Sequence, residues 1–369
     1  MRDGNEHRLR VSNDARHRSV SGAPAGGRRR TSPSAPLVSV LLPVRDGEGH
    51  VDRSIESLVG QTLRDLEILA VDDGSGDGTS ERLARWARQD GRVRVLSQPA
   101  GGIVPALERA RAAARGRWLA RMDADDVSAP RRLELQLACM EETDPGLAAC
   151  GCRVEYFPRR GLGAGALRYE RWINELVSPA QIERDLFVEC PLAHPTFFLD
   201  AEAVRAAGGW RDPGWPEDYD LLFRLRERGG RFAKVPAVLL SWRERPDRLS
   251  RVDSRYSADA FRRCKVHWLL RGPLRGGRAA VVWGAGPTGK RFALELRRHG
   301  VQIAAFVELD PRKLGKRIHG APVISPSDIG EYRGAFCVAA VGQVGAREEI
   351  RRALAAAEWR EGADFVAVA

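Results

Sequence analysis

The sequence predicts an α/β protein in which a mostly parallel sheet, with helices on both faces, is followed by a smaller α/β unit. Short apolar runs alternate with segments of helical periodicity along most of the chain, which is typical of parallel strands joined by helices. The same alternation starts again near Arg278. The chain has 369 residues, of which 43% are hydrophobic, so it can form two or three domains with buried cores.

The larger unit begins at Leu37, where a polar stretch gives way to an apolar run that ends at Pro43. Strands are predicted at residues 37–42, 66–71, 92–96, 117–122 and 235–242, and helices at residues 51–63, 79–89, 104–114, 131–142, 217–228 and 261–270. The stretch 147–200 is less regular and contains two further predicted strands. Ligands of such sheets bind at the carboxyl ends of the strands, where two acidic clusters stand.

The smaller unit has the pattern of a β-α-β segment with a glycine-rich turn. A predicted strand leads into Gly284, Gly286 and Gly289, a helix follows, and Glu308 stands at the end of the next strand. This context predicts a Rossmann-like turn that holds the phosphate of a nucleotide or of NAD. The alternative, a docking module without a ligand, stays open because the pattern indicates a fold and no chemistry. A later helix, residues 346–358, is a candidate for homo-oligomer contacts.

Charge and cysteine content narrow the classes of partner and compartment. Residues 1–36 carry eight Arg against three acidic residues and few apolar ones, so a disordered basic tail is predicted. The net charge is +11, but residues 37–277 are close to neutral, which argues against a nucleic-acid partner. The six Cys are scattered and no membrane-spanning apolar run is present. We therefore expect a cytoplasmic protein, with peripheral contact at the inner face of the membrane as a variant of this prediction.

Three groups of acidic residues indicate chemistry. Asp123 and Asp125 follow a buried strand, and paired carboxylates there are typical ligands of Mg²⁺ or Mn²⁺; a solvated turn with helix-capping acids is the alternative. Asp73 can accept hydrogen bonds from a base or a ribose, or can belong to an ordinary turn. Glu217 and Asp218 open a helix, where a carboxylate can act as a general base or simply favour the helix dipole.

Taken together, these motifs resemble those of family 2 glycosyltransferases with the GT-A fold. The resemblance covers residues 37–250 in the family's order and spacing. The segments that carry it are Val38-Ser39-Val40-Leu41-Leu42-Pro43-Val44-Arg45, Ser54-Ile55-Glu56-Ser57-Leu58, Val71-Asp72-Asp73-Gly74-Ser75, Arg121-Met122-Asp123-Ala124-Asp125-Asp126, His194-Pro195-Thr196 and Glu217-Asp218-Tyr219-Asp220.

The resemblance implies roles for residues on the donor side. Asp73 would bind the nucleotide base, and Pro43 and Val44 would line the pocket for that base. Asp123 and Asp125 would form the metal motif, with Asp125 as the direct ligand of Mn²⁺ or Mg²⁺.

On the acceptor side, the resemblance makes Asp218 the catalytic base, which Glu217 would orient unless it contacts the acceptor itself. His194 would line the acceptor side, with a histidine packed beside Phe197 as the alternative. Relatives carry a metal- or diphosphate-binding His after the last strand, where this chain has Arg245. An arginine cannot coordinate a cation, but it can pair with phosphate.

The C-terminal part is similar to the small Rossmann-like domains of bacterial sugar acyltransferases and sugar methyltransferases. The segments that carry this resemblance are Val282-Trp283-Gly284-Ala285-Gly286, Phe306-Val307-Glu308-Leu309-Asp310 and Gly320-Ala321-Pro322-Val323. The predicted organisation is a basic tail, a GT-A domain, a linker helix and a Rossmann-like domain, with bounds 1–36, 37–256, 257–277 and 278–369.

The predicted function is inverting transfer of a sugar from a nucleotide-sugar donor, with UDP-sugars favoured, to a hydroxyl group. The expected acceptor is a saccharide or a lipid-linked molecule in the biosynthesis of a cell-surface polysaccharide or glycoconjugate. The alternative is a nucleotide- or NAD-binding module, or an oxidoreductase, centred on residues 278–369.

Overall fold

The structure is a computed structural model that describes residues 35–142 and 146–369. The basic tail predicted over residues 1–36 lies outside the described residues, apart from its last two. The described chain forms two sheets with helices packed on them, which confirms the predicted α/β class.

The element bounds follow the predicted alternation of strands and helices. The strands are β1 (Val38–Val44), β2 (Leu66–Asp73), β3 (Val93–Gln98), β4 (Trp118–Arg121), β5 (Val127–Ser128), β6 (Leu147–Phe157), β7 (Phe198–Asp200), β8 (Arg231–Arg243), β9 (Ala280–Trp283), β10 (Ile303–Val307), β11 (Arg317–Ile318), β12 (Ala321–Ile324), β13 (Phe336–Ala339) and β14 (Phe365–Ala367). The helices are α1 (Val51–Val59), α2 (Thr79–Gln89), α3 (Ile103–Ala113), α4 (Arg132–Glu142), α5 (Ala164–Glu175), α6 (Pro179–Asp185), α7 (Ala201–Ala207), α8 (Glu217–Glu227), α9 (Leu249–Val252), α10 (Ala258–Arg271), α11 (Pro287–Arg298) and α12 (Ala346–Ala356).

The first sheet orders its strands β3-β2-β1-β4-β7-β6-β8-β5. Strands β3, β2, β1 and β4 are parallel, and Val44 pairs with Asp72 while Leu41 pairs with Arg121. Strand β7 is antiparallel to both β4 and β6. Because β1, β2 and β4 end at the same edge, the residues that follow them share that edge.

Burial explains why these segments form strands and helices. Every residue of β2 is buried, as expected for a parallel strand with helices on both sides. Helix α1 buries Val51, Ile55 and Leu58, whose spacing places them on one helical face. The chain turns sharply after Asp73, because Gly74 has φ +67° and a side chain there would meet the Ala100 nitrogen at 2.6 Å.

The second sheet orders its strands β11-β12-β10-β9-β13-β14. Strand β11 is antiparallel to β12, and the other strands are parallel to their neighbours. The chain leaves β9 towards β10 on one side and later returns to β13 on the other side. The loops after β9 and β13 therefore flank a crevice at the carboxyl edge, the usual place for a ligand in an open α/β sheet.

Helix α10 packs against both parts of the chain. Trp268 stacks on Phe223 of α8 with ring centroids 5.4 Å apart. The ammonium of Lys265 donates to the carbonyl oxygens of Val188 and Val368, at 2.7 and 3.0 Å. One buried apolar cluster extends from the first sheet to the second, and the domain bounds proposed from the sequence stay a prediction. Within the described ranges, no helix combines the length and apolarity that crossing a membrane requires.

Candidate functional site

A cavity of about 340 Å³ opens beside the carboxyl ends of the first sheet. Its wall includes five residues that the sequence predicted as site residues, and we call it the acid cavity: Asp123, Asp125, His194, Asp218 and Arg245. These residues come from four separate parts of the chain, so the fold brings distant motifs together in one cavity.

The three acids between β4 and β5 form a compact carboxylate cluster. Oxygen atoms of Asp123, Asp125 and Asp126 all lie within 4.8 Å of one another. Asp126 is buried, and its Oδ1 accepts the backbone N–H of Arg243 at 2.7 Å. The other oxygen, Oδ2, has no hydrogen-bond partner in the described part of the chain.

The electrostatics of this cluster favour a cation. Burial, followed by the charges of Asp123 and Asp125, raises the pKa of Asp126 well above its ordinary value. Burial and the charge of Asp123 also raise the pKa of Asp125. A divalent cation would relieve this repulsion. The hard oxygen ligands and the unpartnered Oδ2 fit Mg²⁺ or Mn²⁺.

Arginines surround the carboxylate cluster. Arg121, the last residue of β4, is 2% exposed and pairs with Asp123. Its Nε and Nη1 find no acceptor among the residues described. Arg245 lies with its Nε 3.2 Å from Asp125 Oδ2. Because buried guanidinium groups rarely leave donors unused, Arg121 indicates an anionic ligand in the cavity.

Glu217 and Asp218 start α8 but lie in different environments. Glu217 is fully buried, and both of its carboxylate oxygens accept from the Tyr256 hydroxyl, at 2.8 and 2.7 Å. Asp218 keeps part of its side chain open to the acid cavity. Burial and the charge of Glu217 raise the pKa of Asp218 from 3.8 to about 8. A carboxyl group that exchanges its proton near neutral pH is suited to proton transfer.

His194 connects the cavity wall to Glu217. Its Nε2 accepts from the Trp210 indole N–H at 3.1 Å, so the proton lies on Nδ1, which is 3.5 Å from Glu217 Oε1. Burial and then the charge of Arg121 lower the pKa of His194 well below 6.5, so the ring is neutral. It also packs edge-on against Phe197. The role of His194 on the acceptor side stays a prediction.

Asp73, Pro43 and Val44 lie at the same sheet edge but do not line the acid cavity. Asp73 is buried, and its two oxygens accept the backbone N–H groups of Gly101 and Gly102, each at 2.8 Å. Ile103, which follows these glycines, lines the acid cavity. Asp73 thus holds the loop that leads into the cavity, and its role in binding a nucleotide base stays a prediction.

The glycine-rich turn of the second sheet is explained largely by packing. Gly284 has φ +117°, and a Cβ at Gly289 would lie 1.8 Å from the Gly284 carbonyl oxygen, whereas nothing lies near a Cβ at Gly286. Glu308 pairs with Lys313 at 2.8 Å and accepts backbone N–H groups of its own loop. Its oxygens are therefore engaged, and binding of a nucleotide or of NAD at this turn stays a prediction.

Four further residues at the cavity are absent from the sequence-based set of site residues: Arg121, Asp126, Arg248 and Tyr256. Arg121 and Asp126 flank the Asp-x-Asp motif, so proximity to the motif was an available signal. Arg248 stacks on Trp242, with its guanidinium carbon 4.3 Å from the ring centroid. Tyr256 is 39 residues from Glu217, and no local pattern indicates their contact.

Known proteins share both the sequence motifs and the fold. Residues 39–205 match the family model for glycosyl transferase family 2. A glycosyltransferase of Haemophilus influenzae is 29% identical over 216 residues, which cover 57% of this chain and 66% of that protein. The O-antigen biosynthesis glycosyltransferase WbnJ of Escherichia coli is 30% identical over 193 residues, which cover 51% of this chain and 71% of WbnJ.

Among solved structures, S. aureus TarS 1-349 in complex with UDP aligns with a TM-score of 0.50 and 16% identity, over 71% of each chain. This likeness supports a GT-A-like α/β fold. With the family match and the WbnJ alignment, it follows that the chain belongs to glycosyl transferase family 2 and is a glycosyltransferase. The chain spans 66% of the length of the Haemophilus protein.

Proposed function

We propose that this protein transfers a sugar from a nucleoside diphosphate-sugar to a hydroxyl group of a saccharide acceptor during polysaccharide assembly. The observation that carries the proposal is that Asp123 and Asp125 of the carboxylate cluster line one cavity with Asp218. Family membership supports the reaction class, and the name of WbnJ, an O-antigen biosynthesis enzyme, supports polysaccharide assembly as its setting.

The proposed leaving-group side is formed by the carboxylate cluster and the arginines. Asp123 and Asp125, with Asp126 behind them, would hold Mg²⁺ or Mn²⁺, which when bound supplies positive charge for the departing diphosphate. Arg121 and Arg245 add fixed positive charge beside these acids. Such preorganised charge stabilises the negative charge that develops on the leaving oxygen.

The proposed proton acceptor is Asp218. A hydroxyl that attacks the sugar must lose its proton as the new bond forms, and Asp218 has both access to the cavity and a pKa of about 8. Glu217 acts on Asp218 through its charge and is itself held by Tyr256 and His194. We take the reaction to be a single displacement with inversion, in which the hydroxyl attacks the sugar opposite to the diphosphate.

UDP-sugars are the first donors to consider, because the aligned TarS structure contains UDP. A screen of UDP-, GDP- and dTDP-sugars with Mg²⁺ or Mn²⁺, read out as release of nucleoside diphosphate, tests the proposal. We expect Asp218→Asn and Asp125→Asn to lower the rate by about a hundredfold or more each. Asp65→Asn, an exposed carboxylate outside the cavity, is the matched control. Full activity of folded Asp218→Asn protein would contradict the proposal.

A further inference from the structure

A second cavity, of about 620 Å³, lies between α5, α10 and the second sheet. Its wall carries four arginines, and we call it the arginine cleft: Arg168, Arg262, Arg291 and Arg347. Lys265 also lines it. Five basic side chains therefore share one concave surface.

The positive charge of the arginine cleft is only partly neutralised. Arg168 and Arg291 are exposed, and neither makes a hydrogen bond or an ion pair within the described ranges. Arg262 pairs with Asp259 at 2.7 Å, but its buried Nε has no partner there. Lys265 is 6% exposed and donates to two carbonyl oxygens, which leaves its third N–H free.

Negative groups in the same wall are few. Glu189 lines the cleft. Burial raises the pKa of Glu189, and the nearby charge of Lys265 offsets only part of this rise. Like Arg262, Arg347 has nearby acceptors: its Nε donates to the Ala369 oxygen at 3.1 Å, and its Nη1 lies 3.7 Å from Asp185. Arg168 and Arg291 are thus the two arginines of this wall that make no hydrogen bond or ion pair in the described part of the chain.

The cleft lies where an open α/β sheet binds ligands. Thr288, after β9, and Gly342, after β13, both line it, and these two loops flank the point at which the chain reverses direction across the second sheet. Glu308, the acid that a dinucleotide would need on this sheet, is engaged by Lys313. The position of the arginine cleft therefore favours ligand binding. Because Glu308 is already paired with Lys313, a dinucleotide is not the expected ligand.

The cleft also adjoins the acid cavity on the side of the proposed base. Four side chains line both cavities: Tyr169, Glu189, Tyr256 and Phe261. Of these, Tyr256 donates to Glu217, the neighbour of Asp218. The carboxylate cluster is not part of this shared wall. A molecule held in the cleft would therefore reach the acid cavity on the side of Asp218. The carboxylate cluster, on the proposed diphosphate side, would be farther from it.

We propose that the arginine cleft binds a phosphate ester of the acceptor, so that the acceptor is an anionic saccharide or saccharide carrier. Guanidinium groups pair with phosphate oxygens in bidentate fashion and keep their charge at all relevant pH values. This inference rests on the proposed function, and it adds the chemical class of the acceptor. The phosphate would occupy the cleft while a hydroxyl of the same molecule reaches Asp218.

The first test is calorimetric titration of the full chain with inorganic pyrophosphate in the presence of EDTA. We expect the double variant Arg168→Ala/Arg291→Ala to bind pyrophosphate at least tenfold more weakly than the parent. The matched control is Arg171→Ala/Lys290→Ala, whose residues lie on the same helices, are exposed, and do not line the cleft. Unchanged affinity in the first double variant, or loss of binding through Arg245→Ala alone, overturns the proposal.

A second test separates the two sources of such a phosphate. Glucose 1-phosphate represents a soluble phosphate ester, and phosphatidylcholine vesicles containing farnesyl diphosphate represent a lipid-borne one. Displacement of pyrophosphate by either probe supports the cleft and assigns the source, whereas displacement by neither contradicts it. The proposed function fails separately, if the parent chain releases no nucleoside diphosphate from any donor.

Discussion

Asp218 and Glu217 are adjacent in the sequence, yet the fold gives them different tasks. Glu217 is enclosed and accepts hydrogen bonds from Tyr256, whereas Asp218 reaches the acid cavity. Two neighbouring carboxyl groups in a poorly solvated site cannot both ionise easily. Burial and then the charge on Glu217 therefore make Asp218 a stronger base than an exposed aspartate, which is the property that deprotonation of a hydroxyl requires.

The rate of sugar transfer is expected to rise with pH through about 8, because Asp218 must lose its own proton before it can accept another. Measurement of kcat/KM between about pH 6 and pH 10 with saturating Mn²⁺ checks this. Glu217→Gln removes a nearby negative charge, so the midpoint should move to lower pH. A profile that is flat over this range would contradict the assignment of Asp218.

The same ionisation predicts a stability effect. The pKa of Asp218 is higher in the folded chain than its ordinary 3.8, so the folded state loses stability as pH rises between these two values. Asp218→Asn should therefore melt at an equal or higher temperature than the parent at pH 8. A lower melting temperature, measured by calorimetry beside Asp65→Asn, would show that the Asp218 carboxylate supports the fold instead.

Binding of a divalent cation should stabilise the protein in the absence of donor, because the carboxylates of Asp123, Asp125 and Asp126 repel one another. At a Mn²⁺ concentration about 100 times Kd, mass action contributes about 2.7 kcal/mol. The measurement is the melting temperature with and without Mn²⁺. Asp125→Asn should lose most of the increase and Asp65→Asn none of it; equal increases in both would contradict the metal site.

At the scale of elements, the glycine-rich turn between β9 and α11 contains two kinds of glycine. Packing leaves no room for a side chain at Gly284 or Gly289, whereas a side chain at Gly286 would meet nothing. Gly289→Ala would place a methyl group 1.8 Å from the Gly284 carbonyl oxygen, and we expect a loss of about 3 kcal/mol or more in the free energy of unfolding. Gly286→Ala meets nothing within 4 Å and should cost about 1 kcal/mol or less. Denaturant unfolding measures both, and similar losses would contradict this account.

The short helical segment Ser254–Tyr256 places one hydroxyl on Glu217. Tyr256→Phe leaves a fully buried carboxylate without that donor, so we expect about 1–3 kcal/mol lower stability. The same change should lower kcat while KM for the donor stays constant, since Glu217 acts on Asp218 and not on the donor. Tyr332→Phe, in the second sheet's half of the chain, is the control; a change in KM alone would contradict a positioning role.

Sequence patterns predicted elements whose signal is local. The apolar runs of β1, β2 and β4 and the periodicity of α2 and α8 gave bounds within a few residues of those observed. Helices α5, α6 and α7 were missed, because each buries at most two apolar residues. Contacts between residues that are far apart in the sequence have no local signature. Examples are the hydrogen bond from Tyr256 to Glu217 and the one from the Gly101 backbone N–H to Asp73.

At the scale of the whole molecule, the buried acid Asp185 links the part of the chain that forms the first sheet to the part that forms the second. Asp185, at the end of α6, is 2% exposed and pairs with Arg351 of α12 and with Arg184. The indole N–H of Trp172 also donates to it, at 3.2 Å. Burial opposes its ionisation, but Arg351 and Arg184 outweigh burial and hold the pKa of Asp185 below its ordinary value.

Removal of Arg351 should therefore weaken the whole chain and not α12 alone. Arg351→Met leaves Asp185 buried with less compensation, and we expect a loss of about 3–5 kcal/mol in the free energy of unfolding. Because the folded pKa of Asp185 is lowered, its contribution is present above pH 3.8 and is lost as pH falls below that value. Arg352→Met, an exposed neighbour on the same helix, should have little effect.

Hydrogen exchange of backbone amides shows whether the two sheets unfold together or separately. If the continuous apolar core and Asp185 couple the sheets, the slowest amides of β1 and β13 should exchange with the same free energy, and Arg351→Met should lower both equally. Asp185→Asn combined with Arg351→Met should recover part of the loss, because it removes the uncompensated charge. Faster exchange confined to β13 in Arg351→Met would show that the second sheet unfolds independently.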